Sequence, residues 1–192
     1  AGFSSFHKNF FDQERYRIIF FDQRGSGKSE PYAETRNNTT QLLIQDIEQI
    51  RNHFKIDKWI LFGGSWGSTL ALLYSIFFPE KCSALILRGV FLGTKKEIDW
   101  FLYEMYRFFP EAHKKFINSI PSKYHSDILN WYYKKIHSNV KSKSLKASAS
   151  WNEYESSCST LKYVERKNSG LESLAIAKIE THYFVNNCFI ED

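Results

Sequence analysis

Lys58-Trp-Ile-Leu-Phe-Gly-Gly-Ser-Trp-Gly-Ser-Thr-Leu-Ala-Leu-Leu-Tyr-Ser-Ile-Phe-Phe-Pro79 divides into three parts. Lys58 to Phe62 is a short apolar run of the length and content of a buried parallel strand. Gly63-Gly64-Ser65-Trp66-Gly67 is a glycine-punctuated turn. Ser68 to Phe78 has the apolar spacing of a helix, which Pro79 stops. A G-x-S-x-G pattern arises by chance in about one chain of this size in twenty, so its meaning lies in its place. Between a buried strand and a helix, the flanking glycines leave room for a tight turn that holds a serine hydroxyl above the sheet. Ser65 is then a candidate nucleophile, and the backbone N–H of Trp66, at the helix N-terminus, a candidate donor to an oxyanion. A glycine-rich turn chosen only for packing is the bland alternative.

Outward from this run the same grammar repeats. Tyr16 to Phe21 (Tyr-Arg-Ile-Ile-Phe-Phe) reads as a buried strand, Ala84 to Leu87 as another. Thr39 and Thr40 offer N-caps for a helix with Leu42, Leu43, Ile47, Ile50 and Phe54 on one face. Strand, helix, strand, helix, strand with short connections predicts an α/β layer, a parallel sheet flanked by helices. After Gly93 no strand signal of comparable strength follows, and amphipathic helices are expected around Pro110, Pro121 and a polar Ser/Lys stretch. We therefore expect a partial α/β core over residues 1–92, followed by a helical cap over residues 93–192, with no internal repeat.

Composition bounds the functional classes. With 43% hydrophobic residues in 192, a packed core is expected. The net charge of +5 invites a nucleic-acid reading, but basic and acidic residues are interleaved. The one basic run, His137 to Lys146 with Lys141, Lys143 and Lys146, is expected to be a solvated loop. Neither a nucleic-acid nor a membrane partner is indicated. Cys82, Cys158 and Cys188 have no CxxC spacing and leave one unpaired, which favours a reducing compartment, hence the cytoplasm, and argues against zinc. No apolar stretch reaches membrane-span length and no signal peptide is evident. The chain opens on Ala1-Gly2-Phe3 without an initiator Met and stops at Ile190-Glu191-Asp192, so both ends read as cut.

Asp22 to Ser29 contains Gly-Ser-Gly-Lys-Ser, but a phosphate-binding P-loop needs a glycine five residues before Gly27, and that position is Asp22. The P-loop reading fails on this count.

Taken together, Phe20-Phe-Asp-Gln-Arg-Gly-Ser-Gly-Lys-Ser29, Gly63-Gly-Ser-Trp-Gly-Ser68 and Leu87-Arg-Gly-Val-Phe-Leu92 resemble the proline iminopeptidases, serine exopeptidases of the α/β-hydrolase superfamily. The resemblance continues through Glu97 to Phe101, Phe109 to Ala112, Trp151 to Glu155 and Ile179 to Asn186, in family order across the chain. It implies release of an N-terminal proline from peptides, Ser65 as nucleophile, and no metal or organic cofactor. It implies that Glu155 and Glu180 bind the substrate amino terminus, with Phe91 and Phe184 as the apolar wall and Arg88 near the pocket. Two carboxylates close together repel and are costly to desolvate, and a substrate ammonium relieves both problems.

Three positions depart from the family pattern: Tyr154 stands where a second Trp is common, Leu102 where a Tyr is usual, and Ser26 where a Cys is common. They are expected to reshape the proline pocket.

The superfamily order is Ser, Asp, His along the chain. Asp99, Asp127 and Asp192 do not end buried strands. His182 is expected to be structural, and His113, His125 and His137 have no acid partner suggested. None is nominated as base. The resemblance implies that the triad Asp and His, and the second oxyanion N–H, lie outside this chain. An esterase or other amidase of the same fold, or a catalytically dead interaction module, are the competing readings. Oligomeric state is not legible.

Overall fold

The computed structural model describes residues 5–160 and 170–190. Its centre is the motif run. β1 (Trp59–Ser65) pairs in parallel with β2 (Cys82–Val90), Ile60 opposite Ala84 and Ser65 opposite Val90. The connection is α2 (Trp66–Phe77), a right-length crossover that buries Leu70, Ala71 and Tyr74. Pro79 opens a 3-10 turn in place of further helix, as a missing N–H dictates. α1 (Thr40–His53) starts where Thr39 Oγ1 accepts the Leu42 N–H, 3.4 Å away. Its buried face includes Leu43 and Ile47 of the expected stripe together with Ile44; Leu42 and Ile50 are half-buried and Phe54 is exposed.

The end of α1 is tied to the start of β1 by a polar network. Arg51 forks onto Glu48 (2.6 and 2.8 Å), and donates to the carbonyl oxygens of Ile56 and Asp57. The fully buried Tyr74 of α2 donates to Glu48 from its hydroxyl at 2.7 Å. The Arg51 guanidinium holds the Glu48 carboxyl down at about 2. A buried charge with this many partners is tolerable where a bare one is not.

Tyr16 to Phe21 has no regular secondary structure and joins no ladder, which corrects the strand expected there. Its rings pack instead of its main chain pairing: Phe11 lies between Phe20 (6.2 Å) and Phe62 (5.1 Å). Apolar content identified a buried-type segment but could not supply its hydrogen-bond partner.

After β2 the described elements are helical: α3 (Lys95–Asp99), which runs on through a π turn, α4 (Pro110–Asn118), α5 (Ile128–Ile136), α6 (Lys141–Cys158) and α7 (Gly170–Val185). Phe116 is the hub, stacked on Tyr132 at 4.6 Å and on Tyr154 at 4.1 Å. Of the basic run, His137 to Val140 is the expected loop, but Lys141 to Lys146 is helix. Lys141, Lys143 and Lys146 are exposed in the first turns of α6, while Ser144, Ala147 and Ser148 face inward. These small residues let α6 lie against α7, and Ser148 Oγ returns its hydrogen bond to the Ser144 carbonyl at 2.8 Å.

Two seams join the helices to the α/β layer. Thr40 and Gln41 at the head of α1 donate to the carbonyls of Cys188 and Phe189. From α7, the Tyr183 hydroxyl donates to Asn38 Oδ1 at 2.7 Å and His182 Nε2–H to the Asn38 carbonyl at 2.9 Å. Among the described residues no helix is long and apolar enough to cross a membrane.

Candidate active site

Ser65 sits at the joint of β1 and α2 with φ 53° and ψ −123°, a conformation that L-residues rarely adopt and that costs about 1–3 kcal/mol. The turn is this tight because the strand and helix nearly touch. A Cβ at Gly63 would lie 2.1 Å from the Gly67 carbonyl oxygen, so no side chain fits there. Ser65 is exposed, and its side chain makes no capping bond to α2. The task of tying down the turn falls to Ser68, whose Oγ donates to the Ser65 carbonyl at 2.6 Å.

Trp66, next in sequence, is fixed from two sides. Its indole N–H donates to Gln23 Oε1 at 3.1 Å, and its ring lies 4.7 Å from that of Tyr183. Gln23 belongs to the Asp22–Ser29 loop, and this is the role the structure gives that loop. Arg24 forks onto Asp46 of α1 at 2.6 and 2.7 Å, and the Asp22 carboxylate accepts the Lys28 N–H at 2.8 Å. A Cβ at Gly27 would fall 2.2 Å from the Asp22 carboxyl carbon, which explains the glycine. The loop braces the residue after Ser65; Gln23 was not singled out from sequence, because a bond across 43 residues leaves no local signature.

A cavity of about 1770 Å³ adjoins Ser65. Glu155, Glu180, Phe91, Phe184 and Arg88 are among the residues that line it. Phe91 is anchored by the turn itself: its N–H bonds Ser68 Oγ at 3.0 Å and its carbonyl accepts from Thr69 Oγ1 at 2.6 Å. Its ring stands 5.9 Å from Phe184. The stem of Arg88 covers Gly64, with its guanidinium 5.7 Å from the Phe10 ring.

Glu155 comes from α6 and Glu180 from α7. The Glu180 carboxyl is raised well above the usual range, first by loss of water contact and second by the charge of Glu155. The Trp151 indole N–H, donating to Glu180 Oε2 at 2.6 Å, acts the other way and favours the ionised form.

Two of the three departures lie away from this space. Leu102 and Tyr154 are buried in the helical core, the Tyr154 hydroxyl donating to the Phe101 carbonyl at 2.7 Å, and neither lines the cavity. Their expected effect on the pocket is corrected accordingly; Ser26 does line it. His113, His125, His137 and His182 each bond a main-chain carbonyl, and none lines the cavity. Asp99 pairs with Lys95, Asp127 accepts from Asn130, and Asp192 lies outside the described residues. Among the described residues no group of three or more His, Cys, Asp or Glu is placed to hold a metal ion.

A strand, a strained serine at a glycine-lined joint and a helix form the serine-bearing turn of an α/β hydrolase. Residues 2–168 match the family model of the alpha/beta hydrolase fold, and the chain belongs to that family. Within it the chain is similar to proteins named for one activity. It is 44% identical to a proline iminopeptidase of Arabidopsis thaliana, over 98% of this chain and 51% of the relative. It is 43% identical to a probable proline iminopeptidase of Leptolyngbya boryana (96% and 59%), and 41% to a proline iminopeptidase of Xanthomonas citri (96% and 60%). The chain thus spans about half to three-fifths of the length of these relatives.

Proposed function

We propose that this chain forms the nucleophile-bearing and cap portion of a serine aminopeptidase that releases N-terminal proline from peptides. The observation that carries the reading is the meeting of Ser65, in its strained turn, with two carboxylates from different helices around one cavity. In the reaction, Ser65 Oγ attacks the carbonyl of the first peptide bond while the Trp66 N–H donates to the oxygen on which negative charge develops. The base and its orienting acid, His and Asp, belong to the part of the relatives' length that this chain does not span. Glu155 and Glu180 bind the substrate ammonium, with the ring between Phe91 and Phe184 and Arg88 at the rim. The raised affinity of Glu180 for a proton expresses the same demand for positive charge that an ammonium meets. Such a clamp fixes how far the first carbonyl lies from Ser65, so one residue is removed at a time.

The test uses the full-length protein with a prolyl arylamide and a small neutral ester. Glu155→Gln and Glu180→Gln keep the shape and remove a charge. The expected loss is about 2–5 kcal/mol in kcat/KM for the arylamide, with the ester cleaved almost as before. Equal losses on both substrates mean a folding role for the pair, and undiminished proline release removes them from the site.

A further inference from the structure

Trp151 stands one helical turn before Glu155 on α6 and is completely buried. Phe101, Tyr132, Phe116 and Phe184 enclose its indole, with ring centres 5.3 to 6.2 Å away. A ring caged on this many sides has no alternative rotamer, so its N–H points one way. That N–H is a donor only, and it meets Glu180 Oε2 on the neighbouring helix at 2.6 Å, the length of a strong, charge-assisted bond.

We propose that Trp151 is the positioning residue of the ammonium subsite, a rigid donor that fixes the Glu180 carboxylate at the cavity and favours its charged form beside Glu155. The proposal rests on the assignment of Glu155 and Glu180 as the amine-binding pair. A neutral carboxyl accepts an N–H only through its carbonyl oxygen and more weakly than a carboxylate does, so the bond favours the ionised form. It opposes the two influences that push a proton onto Glu180, loss of water and the neighbouring charge of Glu155. Arg88, Lys96, Glu97, Glu172 and Tyr183 share the cavity lining with the pair, and two thiols lie close by: Cys158, which feels Glu155, and Cys188, which feels Glu180 and Glu97. Both thiols are raised, chiefly by burial, so they stay neutral and add no competing charge. One turn of α6 therefore carries both the second carboxylate and the donor that opposes protonation of the first.

The experiment compares Trp151→Phe with the parent full-length protein across pH 5 to 9, on the prolyl arylamide and the neutral ester. Phe keeps a smaller aromatic ring in the cage and deletes the donor. We expect KM for the arylamide to rise about tenfold with kcat within about twofold, the effect of one lost charge-assisted hydrogen bond. The acidic limb of arylamide kcat/KM moves up by about one pH unit, while the ester profile stays in place. A purely structural Trp151 would depress both substrates alike and leave both limbs unmoved, which overturns the proposal. Should Trp151→Phe fold poorly, the parent protein supplies the answer by NMR. One indole N–H resonance must titrate with pH, shift on adding L-prolinamide, and lose its titration in Glu180→Gln; absence of such a resonance overturns it equally. If Glu180→Gln leaves proline selectivity intact, the amine-clamp assignment itself fails, a result distinct from an unshifted limb in Trp151→Phe.

Discussion

The indole of Trp66 and the phenol of Tyr183 lie 4.7 Å apart, centroid to centroid, so the residue that follows Ser65 is packed directly on α7. Tyr183 is buried, and its hydroxyl continues to Asn38 Oδ1 at the head of α1. A single side chain therefore links the serine turn, the helical cap and the α/β layer. The geometry of the cavity depends on that link, since Glu180 lies on the same helix as Tyr183.

Tyr183→Phe keeps the ring contact and strands the buried Asn38 acceptor, which costs about 1–3 kcal/mol. Tyr183→Ala removes the ring as well and should cost about 3–5 kcal/mol. Urea midpoints of the two variants and the parent check the order. Equal midpoints for Phe and the parent would mean that the Asn38 bond carries no net stability.

The two-stranded sheet leaves apolar side chains open. Ile60, Ile86 and Val90 are 46%, 47% and 56% exposed, and β2 pairs with no described strand other than β1. Parallel strands are ordinarily covered on both faces, and an open apolar edge is a template for association. The 192-residue chain on its own should self-associate and bind the dye ANS, and Val90→Lys with Ile86→Lys should reduce both. Light scattering that reports a dye-free monomer would contradict this.

The readability of the fold followed the physics of each segment. β1, the glycine turn and α2 were legible because glycines, an apolar run and Pro79 mark a strand–turn–helix unit with purely local rules. The first half of α6 was not: its inward face is Ser144, Ala147 and Ser148, and small residues at a close helix contact leave no hydrophobic stripe until Trp151 and Tyr154. The strand expected at Tyr16 to Phe21 failed because apolar content cannot name a ladder partner. The site residues were legible only as types in family order. The braces behind them, Gln23 to Trp66 and Trp151 to Glu180, join positions 43 and 29 residues apart and had to be seen.

His137 supplies a pH test of the cap. Its Nε2–H donates to the Lys178 carbonyl at 3.2 Å and its ring lies 4.2 Å from that of Tyr133. Burial first, then the nearby charges of Lys178 and His182, lower it to about 4, against the bond to the carbonyl. A folded-state value below the unfolded value of about 6.5 contributes stability that is full above that value and lost as pH falls through about 4. His137→Gln, which keeps a donor but cannot charge, should be less stable than the parent at pH 7 and lose less between pH 7 and 4. Parallel stability curves for the two proteins would remove His137 from the acid response.

The Ser65 conformation carries a cost in stability. With φ at 53° and ψ at −123°, the serine backbone occupies a region that glycine enters without a Cβ penalty. Gly63 cannot take up the strain, since its own position is closed by the Gly67 carbonyl, so the turn keeps its shape whatever stands at 65. Ser65→Gly should therefore raise stability by about 1 kcal/mol, the strain relieved less the chain entropy that glycine adds to the unfolded state. Ser65→Val places a branched Cβ in the same region and should lower stability by a similar amount or more. Neither variant leaves a hydroxyl, so on the proposed mechanism both reduce proline release by the full-length protein to background. Urea unfolding of the three proteins reads the first effect and arylamide turnover the second. A Ser65→Gly protein that is less stable than the parent would show that the turn is not strained, and residual turnover in it would remove Ser65 as the nucleophile.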